Sequence, residues 1–143
     1  MKYILDTNVI SELISTQPNP CVIRWIENVD PDAVYLSVIT VGELKKGIAK
    51  LQASQRKTAL EDWLKNDLLI RFQDHLLPID IDVMLTRGSL IANMVAIGKP
   101  IPAIDSLLAA TAAQSEYTLV TRNVRDFEHT GILLFNPWET QNV

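Results

Sequence analysis

The sequence predicts a three-layer α/β/α fold around a small central, mostly parallel twisted sheet, built as one domain over residues 1–143. Three observations carry that expectation. Short apolar runs rich in β-branched residues alternate along the chain with stretches of helical periodicity, and turn or capping residues stand at nearly every junction. A chain of 143 residues is also long enough to bury roughly two thirds of its unfolded surface around one core.

Tyr3-Ile4-Leu5 reads as a short buried strand that stops at Asp6-Thr7-Asn8, after which Val9, Ile10, Leu13 and Ile14 recur at helical spacing. QPNP at 17–20 breaks the chain, and Pro20 suits the first turn of a helix carrying Val22, Ile23, Trp25, Ile26 and Val29. Ala33 to Ile39 is β-rich and predicts the second strand. Thr40-Val41-Gly42-Glu43 matches a capping box at the head of a helix through Leu44, Ile48 and Leu51. A second long helix is expected from Gln55 to about Phe72, forming an antiparallel hairpin with the first. Leu76 to Asp80 reads as a short strand, placed at a sheet edge by Pro78, with Asp80 and Asp82 capping the helix that follows. That helix, Val83 to Ile97, is stopped by Gly98 and the loop Lys99-Pro100-Ile101-Pro102. The next starts near Ala103 with Asp105 in its first turn, and Ala109, Ala112 and Ala113 allow it to lie close to the sheet. Thr118–Thr121 predicts a strand, Arg122–Glu128 a polar turn and Ile132–Phe135 a last strand before the tail NPWETQNV. Strands alternating with helices imply a parallel sheet covered on both faces.

Composition narrows the function. Hydrophobic residues make up 48% and charged residues 21% of the chain, which excludes a disordered or low-complexity protein. The start MKYILD is too soon interrupted by acid for a signal peptide, and no stretch approaches a membrane span, so a cytoplasmic protein without membrane contact is expected. The lone Cys21 excludes an internal disulfide. A net charge of −4 argues against gripping nucleic acid with the whole surface but leaves room for a local basic rim from Lys45, Lys46, Lys99, Arg122 and Arg125, all near the acidic motifs. His75 and His129 read as ordinary histidines, Glu12 as a group near the site or plain surface, and Trp25, Trp63 and Trp138 as apolar anchors.

Four carboxylates occupy comparable places: Asp6 after the first strand, Glu43 in the first turn after the second, Asp105 at a helix start, and Asp126 in the turn after TLVTRN. Each has a local use as a cap, dipole partner or turn former. In a parallel sheet, however, acids that follow strands converge on one edge, where like charges raise each other's pKa and call for a divalent cation. Oxygen ligands without nearby His or Cys favour Mg²⁺ or Mn²⁺ over zinc. Such ions activate water and neutralise a phosphodiester, so metal-assisted hydrolysis of nucleic acid is the expected chemistry. Thr7, Asn8, Ser37, Thr121 and Asn123 are suited to orient the acids or hold the ion's water.

LDTNVISEL at 5–13, TVGELKKGI at 40–48, IDSLLAATA at 104–112, TLVTRNVRDF at 118–127 and NPW at 136–138 together resemble the VapC/FitB toxins of the PIN-domain superfamily. The resemblance runs in order from residue 2 to 138. It implies a metal-dependent endoribonuclease, the toxin of a type II toxin–antitoxin system, with Asp6, Glu43, Asp105 and Asp126 as catalytic and metal-binding residues and Mg²⁺ or Mn²⁺ as cofactor. Lys46, Lys99, Arg122 and Arg125 would steer the RNA. It also implies a homodimer and a cognate antitoxin that fills the groove and alone contacts operator DNA. The chain departs from the family pattern at Arg87-Gly88-Ser89, in place of the usual Trp-Gly, and at Lys45-Lys46, where relatives place Arg. Two rivals differ in kind. A phosphorelay receiver conflicts with the order of Lys99-Pro100 and the acids. A catalytically silent module that captures an antitoxin arginine, acting in operator-binding autoregulation, would be favoured by loss of any acid, and all four are present.

Overall fold

In the computed structural model residues 1–139 are described; the last four residues of the tail, 140–143, lie outside the described residues. Five strands, β1 (Tyr3–Leu5), β2 (Val34–Ser37), β3 (Leu76–Leu77), β4 (Thr118–Val120) and β5 (Leu134–Phe135), form one sheet in the order β3-β2-β1-β4-β5. Every adjacent pair is parallel, with Ile4 opposite Tyr35 and Leu119, and Val120 opposite Phe135. Pro78 falls just beyond the edge strand β3, where its missing N–H costs nothing.

Successive strand residues point to opposite faces, and the two faces carry separate cores. Leu5, Leu36 and Val120 pack with Val9 and Ile10 of α1 (Thr7–Leu13), Val22 of α2 (Pro20–Asn28), and Leu44 and Ile48 of α3 (Val38–Ala49). The same core takes Leu64, Leu68 and Phe72 from the long helical stretch made of α4 (Gln55–Trp63), a π-helical segment Leu64–Leu68 and α5 (Leu69–Arg71). Core residues there recur every four positions, which overshoots an ideal α-helical turn by about 40° each time. The wider π turn offsets that drift and keeps them on one face. On the other side Ile4 and Leu119 meet Leu90 and Met94 of α6 (Ile81–Ala96), Ala109 and Ala112 of α7 (Ala103–Ser115), and Phe127 of α8 (Val124–Phe127). Small residues bring α7 onto the sheet as expected, although Ala113 faces outward.

Several boundaries differ from the sequence expectation, β3 ending at Leu77 rather than Asp80 and α6 starting at Ile81 rather than Val83 among them. The second strand stops at Ser37, whose hydroxyl accepts the Ile39 N–H at 3.1 Å and caps α3, so Val38 and Ile39 form the first helical turn despite their β propensity. The expected capping box is therefore absent: Thr40 lies inside the helix, its buried hydroxyl reaching the Leu5 carbonyl at 3.5 Å, and Glu43 stands a turn later than supposed. The polar turn after β4 contains the short helix α8, and the last strand is confined to Leu134–Phe135. Asp80 does cap α6, accepting from the Val83 N–H at 2.9 Å, and Gly98 ends that helix region with φ of 73°. His75 is satisfied by the Val34 carbonyl at 2.9 Å and stacks on Tyr35. Among the described residues no helix is long and apolar enough to cross a membrane. Phe127 is 1% exposed at the centre of the second core. Phe127→Ala should lower stability by about 3–5 kcal/mol in urea unfolding, since it empties a place in the buried cluster shared with Leu90, Met94, Ala109 and Ala112.

Candidate active site

The strand order reverses beside β1: the chain first builds β2 and β3 on one side, then crosses to β4 and β5 on the other. In open α/β sheets the crevice beyond the carboxyl ends at such a point is the usual ligand site. Asp6 leaves β1 there and Thr121 leaves β4, with the Asp6 N–H bonded to the Val120 carbonyl at 2.9 Å. As the cap of α1, Asp6 accepts the Thr7 N–H on Oδ1 at 2.7 Å and the Thr121 hydroxyl on Oδ2 at 2.8 Å. The single Thr121 proton is thereby committed, and its oxygen accepts from Asn8 Nδ2 at 3.3 Å and from the Asn123 N–H at 3.0 Å. Asn8 Oδ1 in turn accepts the Arg122 N–H at 3.4 Å. The carboxylate is thus fixed by both strand ends at once.

Asp6 is only 8% exposed, and burial pushes its carboxyl above the usual range. The Thr121 and Thr7 hydrogen bonds oppose that rise, while the charge of Asp126 adds to it. Asp105, half-buried in the first turn of α7, is raised by burial and then by the charges of Asp6 and Asp126. The three acids therefore share one field although they come from three separate places in the chain, the end of β1 and the helices α7 and α8.

Asp6, Glu43 and Asp105 face a common open cleft of about 560 Å³, joined by Thr7, Asn8, Arg122 and Asn123. Asp126 is exposed on α8, outside the lining, and reaches the others through its charge. Ser37 is fully buried as a helix cap, and the Thr121 side chain, also fully buried, acts on the cleft only through Asp6, Asn8 and Asn123. Lys46 stands 3.8 Å from Glu43 in a largely exposed pair that contributes little stability. Lys99 and Arg125 are exposed and do not line the cleft. Among the described residues no three His, Cys, Asp or Glu side chains are gathered closely enough to hold an ion as they stand. The acids share a cleft rather than a ready-made cage.

The cleft also contains Ser11 and Trp138, which the sequence reading did not assign to the site, and Glu12, which it read as a group near the site or plain surface. Asn8, Ser11 and Glu12 recur at helical spacing after Asp6, a polar stripe that could have signalled them. Arg87 donates from Nε to the buried Ser106 hydroxyl at 2.9 Å, and Ser106 donates to the Ala103 carbonyl. This ties α6 to the turn that carries Asp105. Since Asp105 is raised, its ionised form weakens the ion-free fold, a penalty that grows as pH rises from the ordinary carboxyl range through the raised value. Asp105→Asn should therefore raise the Tm in EDTA at neutral pH, with the gain vanishing on acidification below the ordinary carboxyl value.

Comparison with known proteins identifies the family. The PIN domain family model matches residues 3–133. VapC ribonuclease Y4jK from Sinorhizobium fredii is 38% identical over 136 residues, 95% of this chain and 97% of its own length. Toxin FitB from Neisseria gonorrhoeae is 38% identical over 135 residues, 94% and 97% of the two chains. A solved structure of FitAB bound to a DNA fragment superposes with a TM-score of 0.94 at 36% identity, covering 98% of each chain. The chain belongs to the PIN-domain family, in the group that contains VapC and FitB.

Proposed function

We propose that the chain is the toxin of a type II toxin–antitoxin pair and works as an endoribonuclease dependent on Mg²⁺ or Mn²⁺. The observation that carries this reading is the buried Asp6 carboxylate at the strand-order reversal, electrostatically coupled to Asp105 and Asp126 and open to solvent through one cleft. The relatives named as a ribonuclease and as a toxin support the same reaction class and partnership.

The donor chemistry fits a hard divalent cation: the described cleft residues offer carboxylate, hydroxyl and amide oxygens and no His or Cys. Asp6, Glu43 and Asp105 would hold it, with Asp126 acting through water. When bound, the ion supplies an activated water and neutralises charge on the phosphodiester. Thr121 and the Thr7 N–H hold the two Asp6 oxygens in fixed directions, so the acid needs no reorientation during the reaction. Arg122 at the cleft wall, with Lys46, Lys99 and Arg125 further out, draws the RNA backbone in. The open cleft suits a single strand better than a duplex, because sequence-specific RNA recognition reads unstacked bases. A cognate antitoxin would occupy the cleft and bring the pair to operator DNA, and the active form would be a homodimer.

Incubation of total cellular RNA with the purified, antitoxin-free chain in Mg²⁺ or Mn²⁺, followed by sequencing of new ends, tests the reading. Discrete cuts should appear and should disappear in EDTA and in Asp6→Asn, with a loss of at least about a hundredfold in rate. RNA that stays intact would favour the silent module that captures an antitoxin arginine.

A further inference from the structure

Next to the acids the cleft wall holds a pair that the hydrolytic chemistry does not use. The tail returns across the molecule through the fully buried Pro137 and sets Trp138 against α1, where the indole Nε1–H donates to Glu12 Oε1 at 2.9 Å. Asn136 joins this residue to the strand-end loop: its Oδ1 accepts the Trp138 N–H at 2.9 Å, and its Nδ2 donates to the Arg122 carbonyl at 3.4 Å. The Arg122 guanidinium then lies over the indole, 5.5 Å from the ring centre. Part of the indole packs against the first core, so the pair is built from the inside outward, core to indole to guanidinium.

Two simpler uses leave features unexplained. A purely apolar anchor would not need to line the cleft or bond to a cleft carboxylate. A purely electrostatic arginine would extend into water, whereas Arg122 lies over an aromatic ring and, among the described residues, has no acidic partner within ion-pair distance. A planar cation held on an indole on one side offers its other flat face for π-stacking together with N–H donors for phosphate. Proteins that bind single strands use such aromatic and guanidinium planes to take up unpaired bases.

We infer that Arg122, supported by Trp138, Glu12 and Asn136, is a stacking subsite for one unpaired nucleobase of single-stranded RNA, next to the phosphate that enters the acidic cleft. The inference rests on the proposed RNA substrate and deepens it, since it assigns the recognition of a base to residues outside the acidic set. Arg122 positions the strand through the plane of its side chain as well as through its charge.

The test uses the full chain carrying Asp105→Asn to suppress cleavage. Binding to a fluorescent single-stranded RNA is compared with binding to the same oligonucleotide made abasic at one position at a time. One abasic position should weaken binding about tenfold in the parent. Arg122→Lys, which keeps the charge and loses the plane, should weaken binding of intact RNA by a similar factor and be insensitive to that abasic position. Trp138→Ala should do the same, and the surface substitution Arg122→Lys decides the matter if Trp138→Ala does not fold. A parent that binds RNA with every abasic position tolerated equally, or an Arg122→Lys chain that still feels the abasic site in full, overturns the subsite alone. A parent that binds none of the oligonucleotides overturns the RNA reading together with it.

Discussion

The arrangement depends on one constraint, the confinement of the Asp6 carboxylate between the ends of β1 and β4. Burying an ionisable group costs free energy unless donors meet it, and here the two oxygens are met by one backbone N–H and one hydroxyl. Those donors come from the first residue of α1 and from the residue that follows β4, so the side chain cannot turn without disturbing the point where the strand order reverses. The donors do not fully compensate, since the carboxyl remains pushed upward. Residual cost of this kind is common where a group is kept for chemistry rather than stability.

The surrounding fold extends that constraint outward. Two cores on opposite faces of a five-stranded parallel sheet hold the strand ends rigid, and small residues let α7 approach closely enough for Asp105 to feel Asp6. Arg87 and Ser106 fasten the same helix at its first turn, two residues or fewer from the acid it presents. Glu43 arrives from the opposite face on α3, whose start is set by Ser37 rather than by the Thr40–Glu43 box. Short local devices thus aim acids from both layers into one opening.

Much of this was legible in the sequence because it is written locally. The end of β1, the Asp6 cap, the small-residue face of α7 and the stop at Gly98 all follow from residue types a few positions apart. The errors fell where two local signals competed. Val38 and Ile39 favour a strand, but Ser37 caps the helix, and tertiary use of the Thr40 hydroxyl removed the capping box. The short helix α8 has no side-chain cap and too few residues for periodicity to register. Contacts between distant side chains left no local trace: Glu12 and Trp138 meet across 126 positions, and Arg87 and Ser106 across 19. Nearness in sequence does not by itself place a residue at the cleft wall, since Lys99 stands six positions from Asp105 yet does not line the cleft.

The most direct measurement is thermal unfolding of the antitoxin-free chain as Mg²⁺ or Mn²⁺ is added. If acids in one field await a hard cation, the ion binds the native state preferentially and raises the Tm with concentration, by an amount that shrinks in Asp105→Asn and disappears in Asp6→Asn. A Tm that does not move at millimolar ion, or that rises equally in all three chains, would contradict the account.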